Sequence, residues 1–278
     1  MVQVHPVLFD FVIPFTETRI LIYSVFFAIT CALMLGIYLG TRSAEHRGLP
    51  VQEALNMTFW GLIGLILGAR VYAFCENPSF YYAHPLRFLK LWEGSLATYG
   101  GALGGVAACA LYLGLKRLPL FRFLDVYVPY GFLGLGIIRV GDFLNGTAFG
   151  KTTHLPWGVS FPKGSFAYQY HLNHGWIRPD AASSLPVHPT QLYSAAACFL
   201  AAALLVLIDK RKRFEGQTFL LGSLGYVFFR FWGDFLRDDL QRTLLFGLSS
   251  TQWVGLVLFL PVSLALLVKW KAGRERRR

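Results

Sequence analysis

The stretch "GFLGLGIIRVGDFLNGTAFG", Gly131 to Gly150, opens as an apolar run studded with glycine and closes on a polar loop. Between the two it carries Arg139, Asp142 and Asn145. The first half has the texture of a membrane helix. A guanidinium at such a depth costs roughly 2.5 kcal/mol or considerably more, so an arginine held there has a task. The run therefore raises two questions together: whether the whole chain is a membrane protein, and what Arg139 holds.

Composition answers the first. Of 278 residues, 55% are hydrophobic and 15% charged, with mean hydropathy +0.48. A soluble domain carries about a quarter charged residues. Apolar runs recur at about 19–39, 55–75, 96–115, 124–144, 189–208, 217–236 and 250–269. Each is close to the ~20 residues that cross a hydrocarbon core. The expected fold is an all-α membrane protein of seven transmembrane helices with a small extracytoplasmic head. The opening "HPVLFDFVIPF" lacks the basic character of a cleaved signal, so the first span reads as a retained helix behind a short segment at the membrane surface.

Charge sets the expected orientation. Alternate loops and the tail hold fifteen basic residues: Arg42, Arg47, Lys116, Arg117, Arg122, Lys210 to Arg213, Lys269, Lys271, Arg274 and Arg276 to Arg278. The opposite set holds eight, from Arg19 to Arg242, and Arg70, Arg139 and Arg230 fall inside spans. Basic residues flanking spans stay on the cytoplasmic side. The N-terminus is thus expected outside and the C-terminus inside. The net charge of +11 reads as topology and attraction to membrane lipid, with no nucleic-acid partner.

The chain reads as one polytopic membrane domain over 1–278. Residues 146–187 form an extracytoplasmic head insertion, and 270–278 a basic cytoplasmic tail. "ENPSFYYAHPLRFLKLWEGS" (76–95) reads as an interfacial segment. The head is too long for a plain connector, and its aromatics, among them Trp157, Phe161, Tyr170 and Trp176, favour a folded unit. Cys31, Cys75, Cys109 and Cys198 all fall in spans without a paired motif and read as packing residues. His154, His171 and His174 lack a companion cysteine or acid, so no metal and no other cofactor is expected.

The charged residues inside the spans point to an anion. In "LIGLILGARVYAFC" Arg70 sits near the outer end of the second span. In "YVFFRFWGDFLRDD" Tyr226, Arg230, Asp234 and Arg237 are spaced to share one helix face. Pairing with a neighbouring acid accounts for Arg139 with Asp142 and for Arg230 with Asp234. It does not account for Arg70, nor for three guanidiniums in the outward halves of their helices. Arginine suits phosphate because its charge is permanent and its donors are forked. At that depth the phosphate belongs to a lipid headgroup. "LATYGGALGG" adds Gly100 and Gly101 beside Tyr99, small residues that serve helix packing or the approach of a ligand.

"IIRVGDFLNGTAFGK" resembles the signature of the prolipoprotein diacylglyceryl transferases, Gly-Arg-x-Gly-Asn-Phe-x-Asn-x-Glu-x-x-Gly. Arg139, Gly141, Phe143, Asn145 and Gly150 match it. "TYGGALGG", "PWGVSFP", "HPTQLYS" and "GYVFFRFWGDFLRDD" resemble further family segments in order, so the likeness runs from about Ile20 to the last span. The resemblance implies seven spans, an outward N-terminus and a bacterial cytoplasmic (inner) membrane location. It implies transfer of the diacylglyceryl group of phosphatidylglycerol to the lipobox cysteine of a prolipoprotein signal peptide, with loss of glycerol phosphate. Carried onto this sequence, it makes Arg139, Arg230, Tyr99 and Asp142 catalytic. Tyr23, Arg70, Gly100, Gly101, Asn145, Gly150, Tyr226, Asp234 and Arg237 would bind substrate.

The departures are specific. The family histidine before Gly-Gly is Tyr99, the signature Asn is Asp142, the signature Glu is Thr147, and the Gly before the arginine is Ile138. Two other readings therefore stand beside plain prolipoprotein modification: a diverged lipid-dependent transferase with another acceptor, and a non-catalytic module that binds lipid or lipoprotein. A transporter would show corresponding repeats, and the sequence has none evident. The orientation is checked by labelling in intact cells. A cysteine replacing Ser165 should react with an impermeant thiol reagent and one replacing Ala272 should not; the reverse pattern overturns the topology.

Overall fold

A computed structural model describes residues 7–12, 19–88, 98–240 and 245–275. The chain opens with an antiparallel hairpin of β1 (Val7–Val12) and β2 (Arg19–Tyr23), in which Asp10 pairs with Leu21. The helices are α1 (Ser24–His46), α2 (Val51–Glu76), α3 (Pro78–Ala83), α4 (Thr98–Leu115), α5 (Leu120–Asn145), α6 (Phe166–Asn173), α7 (Thr190–Lys210), α8 (Gln217–Gly233) and α9 (Ser250–Glu275). The fold is predominantly helical, and the hairpin corrects the all-α reading at its first element. Residues 19–23 are strand rather than the start of the first span: "RILIY" is rich in the branched and aromatic residues that favour a strand.

Among the described residues five helices are long and apolar enough to cross a membrane: α1, α2, α5, α7 and Ser250–Gly273 of α9. The apolar part of α4, Tyr99–Leu115, is shorter, and α8 has 17 residues. The sixth expected span is also cut: α8 ends at Gly233, and Asp234–Leu236 continue as a 3-10 turn. Within 76–95, α3 and a 3-10 turn at Pro85–Phe88 are helical, and 89–95 lies outside the described residues.

The chain forms two compact units, one of Met1–Tyr38 with Tyr127–Arg278 and one of Leu39–Val126. In the first, α1 packs along α5 through small residues. A side chain at Gly141 would stand 2.5 Å from the Ala28 Cβ, and one at Gly134 would meet Ala32 at 3.5 Å. Lipid provides no hydrophobic drive between helices, so such close backbone approach is what holds them. On α5's next face Phe132 joins Cys198, Ala202 and Leu205 of α7, and Tyr226 of α8 packs against that cluster. Gly222 lets α8 close on Leu205 and Phe132.

Residues 146–187 fold around Phe149, Phe161, Ala167 and Val187, which bury against Phe143 at the end of α5. Short bridges join Thr152 and Val159 to Val187. Ser165 caps α6 by accepting from the Tyr168 N–H, and the Tyr168 hydroxyl donates to the Pro179 carbonyl.

In the second unit α2 and α4 are joined by glycine. A side chain at Gly104 would fall 2.7 Å from the Gly68 Cα, and one at Gly68 2.8 Å from the Gly104 Cα. The space beside Gly100 is filled by Tyr72 and the Gly68 carbonyl, and Leu65 stands over Gly101. Of the two uses open to these glycines, helix packing is the one realised; the flank expected to receive substrate is occupied by α2. Gly104→Leu should therefore destabilise the protein by about 1–3 kcal/mol in a detergent melt, while Gly114→Leu, which meets open space, should be neutral. Equal effects would remove the packing role.

Candidate functional site

The arginines and acids expected from the sequence of the first unit gather where α5 and α8 end and α7 begins. Alpha-helix α5 stops in a Schellman turn: the Gly146 N–H donates to the Phe143 carbonyl and the Thr147 N–H to the Asp142 carbonyl. Gly146 takes φ +73°, the left-handed conformation that suits glycine. The turn brings the Thr147 hydroxyl to 3.4 Å from Asp142 Oδ1. Asp142 Oδ2 in turn receives Arg139 Nη1 at 2.7 Å. Thus two of the three signature positions that depart from the family pattern, Asp142 and Thr147, touch one another.

On α8, Arg230 Nε lies 3.1 Å from Asp234 Oδ1. Asp234 is buried, and its Oδ2 accepts from the Thr251 hydroxyl and from Ser249 Oγ at 3.4 Å, both at the start of α9. The Gln252 amide donates to the Phe231 carbonyl at 3.0 Å and ties the same corner. Arg237 was expected on the same helical face. It lies beyond the 3-10 turn in extended backbone, and it forms a forked pair with Asp239: Nε to Oδ1 at 2.9 Å and Nη2 to Oδ2 at 2.8 Å. Asp239 is thus a partner of the site arginine. Arg230 lies in the electrostatic field of both Arg237 and Arg139, and Arg237 in that of Asp234 and Asp142. The three guanidiniums form one patch, each with its own carboxylate.

Arg230, Asp234 and Arg237 line a cavity of about 200 Å³ with Thr190, Tyr193 and Ser194 of α7. The sequence reading assigned no role to those α7 residues, although "HPTQLYS" was already marked by its resemblance. The Trp157 indole N–H donates to the Tyr193 hydroxyl at 2.8 Å, joining "PWGVSFP" to "HPTQLYS". Pro189 is the N-cap of α7. The first turn also anchors the loop after α5: Thr190 Oγ1 donates to the Ala148 carbonyl at 2.8 Å and the Gln191 amide to the Thr147 carbonyl at 2.6 Å.

The remaining expected residues are placed as follows. Tyr23 ends β2, 40% exposed, next to the Ser24 and Val25 backbone against which Gly141 packs. Tyr226 stands one turn before Arg230, its ring 6.2 Å from Phe132. Asn145 is the last residue of α5 and is half-buried. Gly150 is a packing and pairing position: its N–H donates to the His188 carbonyl, a side chain would strike His188 and Thr190, and its backbone bridges Arg237. Arg70 and Tyr99 belong to the second unit, both buried, on neighbouring levels of the α2–α4 contact.

These features define a helical membrane protein with an arginine-lined cavity where its helices meet a folded insertion. The model of the prolipoprotein diacylglyceryl transferase family matches residues 6–268. The chain is 35% identical over 233 residues to a phosphatidylglycerol–prolipoprotein diacylglyceryl transferase of Cupriavidus necator, covering 82% of this chain and 79% of that protein. It is 32% identical over 232 residues to the protein of that name from Bordetella avium, with 81% of each covered. For the one from Paraburkholderia phytofirmans the values are 33% over 248 residues, 83% and 81%. The chain belongs to the prolipoprotein diacylglyceryl transferase family.

The head fixes the Arg237 segment. The Lys151 N–H donates to the Leu236 carbonyl at 2.8 Å, and the Asp238 N–H to the Phe149 carbonyl at 3.4 Å. Next to Phe149 lies His171, fully buried, whose Nδ1 accepts from the Leu185 N–H at 3.2 Å and so carries no proton. The His174 ring stacks on Tyr170 at 4.1 Å. Burial holds the His171 pKa below its ordinary value of 6.5, with the Asp238 carboxylate opposing. The unfolded head therefore binds this proton more readily than the folded one. The stability from neutral His171 is complete above the ordinary value and is lost as pH falls through it towards the lowered folded value. Hydrogen exchange across 146–187 should quicken from about pH 7.5 to about pH 5, corrected for intrinsic rates, and His171→Gln should flatten that dependence. Equal slopes in parent and variant would sink the assignment.

Proposed function

We propose that this chain transfers the diacylglyceryl group of phosphatidylglycerol to the lipobox cysteine thiol of a prolipoprotein. The sulfur attacks the glycerol carbon that bears the phosphate, a C–S bond forms, and the C–O bond to phosphate breaks. Glycerol phosphate leaves with the electron pair, and the thiol proton passes to a base. The observation that carries the reading is the pair of guanidiniums, Arg230 and Arg237, that line the cavity, with Arg139 close enough to act on Arg230 electrostatically. Negative charge grows on the leaving phosphate, and fixed guanidiniums stabilise it without proton transfer. Asp234, locked by Thr251 and Ser249, holds Arg230 in place. Asp239 is the more exposed partner of its ion pair and already shows the forked geometry a phosphate would adopt on Arg237.

The finer residue roles belong to the same proposal. Arg139 and Arg230 act on the phosphate, and Arg237, Tyr226, Asn145 and Tyr23 contribute to substrate binding. Tyr99 stands at the family's histidine position as proton acceptor or hydrogen-bond donor, and Arg70 supports the lipid. Asp142 supplies a carboxylate beside Thr147, where the family pattern has Glu. Gly150 serves by its backbone. The chain is proposed to cross the bacterial inner membrane seven times, N-terminus outside and C-terminus in the cytoplasm, with 146–187 as an outward head and 270–278 as a basic tail. The departures at Tyr99, Asp142 and Thr147 favour a second reading, in which the lipid site is kept and the acceptor differs.

The test is purified protein in phosphatidylglycerol bilayers with a lipobox peptide, following peptide mass and released glycerol phosphate. Arg139→Ala and Arg230→Ala should each lower turnover about a hundredfold or more, and lysine at either position should not restore it. Tyr99→Phe should abolish transfer and Tyr99→His should sustain it. Turnover at the parental rate in both alanine variants would reduce the arginines to structural ions. An inactive parent that gains transfer with Tyr99→His and Thr147→Glu together would favour the second reading.

A further inference from the structure

Alpha-helix α7 has 21 residues, about 30 Å of rise, which is the thickness of a hydrocarbon core. The cavity just described sits at its first turn. At its last turn lies a second hollow, a groove of about 340 Å³ that takes no part in the transfer chemistry. One wall is apolar, made by Leu204 and Leu207, both about half exposed. Its polar end is made by Arg211, Arg213, Gln217 and Trp270.

The polar end is organised. The Arg213 guanidinium lies 5.1 Å above the Trp270 ring. Stacking on the ring uses the cation's flat face and does not consume its in-plane N–H donors. The Gln217 Oε1 accepts from the Arg213 backbone N–H at 2.7 Å and fixes the turn. The Asp209 carboxylate is committed elsewhere, to Lys212 at 3.1 Å and to the Thr218 hydroxyl at 3.0 Å. Among the described residues neither Arg211 nor Arg213 has an ion-pair partner. Two uncompensated guanidiniums therefore end an exposed apolar wall at the membrane boundary.

We infer that this groove binds one anionic phospholipid in the leaflet opposite the transfer cavity. Its phosphate lies between Arg211 and Arg213, and an acyl chain lies along Leu204 and Leu207. An anionic phospholipid matches both halves of the groove. A free phosphate matches only the polar end, and a zwitterionic lipid brings a cation towards two guanidiniums. Binding here does not depend on the transferase reading, since none of these residues touches the transfer cavity.

The full chain, purified in detergent, is titrated with phosphatidylglycerol or with phosphatidylcholine of the same chains, and bound lipids are counted by native mass spectrometry. The parent should retain one phosphatidylglycerol more than the Arg211→Ala, Arg213→Ala double variant, whose dissociation constant for that lipid should rise about tenfold. Phosphatidylcholine should show no such difference, and transfer turnover should be unchanged. Arg230→Ala should lower occupancy at the other site alone, so the two sites fail separately. An unchanged count in the double variant overturns the inference. So does an equal loss in Lys271→Ala, Arg274→Ala, which removes the same charge nearby and would assign the effect to diffuse attraction.

Discussion

A guanidinium in a hydrocarbon layer must keep a counter-charge at hand, and the first unit is arranged around that requirement. Arg139 is held by Asp142, Arg230 by Asp234 and Arg237 by Asp239. Desolvating an ion costs several kcal/mol, recovered only when geometry is good and the remaining lone pairs are satisfied. Asp234 is engaged on both oxygens: Oδ1 makes the ion pair with Arg230, and Oδ2 accepts from the hydroxyls of Ser249 and Thr251. The same pairs that neutralise the resting site leave three permanent cations in one patch. The structural pairing of each arginine with its own acid and the proposed phosphate-binding role therefore call on the same residues.

That patch exists because backbones come close. Gly141 admits Ala28 and seats α1 against the turn of α5 that carries Arg139. Gly222 admits α8, and with it Tyr226 and Arg230, against α5 and α7. In lipid the attraction between helices is dispersion and polar contact, both short-ranged, so one added methyl at such a position displaces a whole helix. The glycines of α4 obey the same rule on α2.

The inserted head positions the end of α8. Its Lys151 N–H donates to the Leu236 carbonyl, and an isolated bridge joins the Gly150 and Arg237 backbones. Extended backbone on both sides fixes the Arg237 side chain from the main chain, whereas Arg139 and Arg230 are fixed from their helices. The first turn of α7 secures the same corner through Thr190 and Gln191. The motif "HPTQLYS" is thus read as a clasp between the head and the helices as well as a wall of the cavity.

Much of the protein was legible in the sequence. The apolar runs marked the helices because length and hydrophobicity are local properties, and the motif "IIRVGDFLNGTAFGK" carried the family because its residue types and spacing survive in one dimension. The arginine–carboxylate pairs on α5 and α8 were visible as helical spacings. What the sequence left open depends on where separate segments meet. Arg237 stays beside the cavity although the helix ends before it, since an isolated backbone bridge to Gly150 of the head holds it. Asp239 became its partner only through the turn. Gly100 and Gly101 were small for a reason one chain segment cannot specify, because the occupant of their flank is another helix. Asp142 and Thr147, five residues apart, meet because Gly146 adopts a left-handed conformation that folds the chain back on its own last turn. Periodicity and composition are set within a segment, but contact between segments is set by tertiary packing.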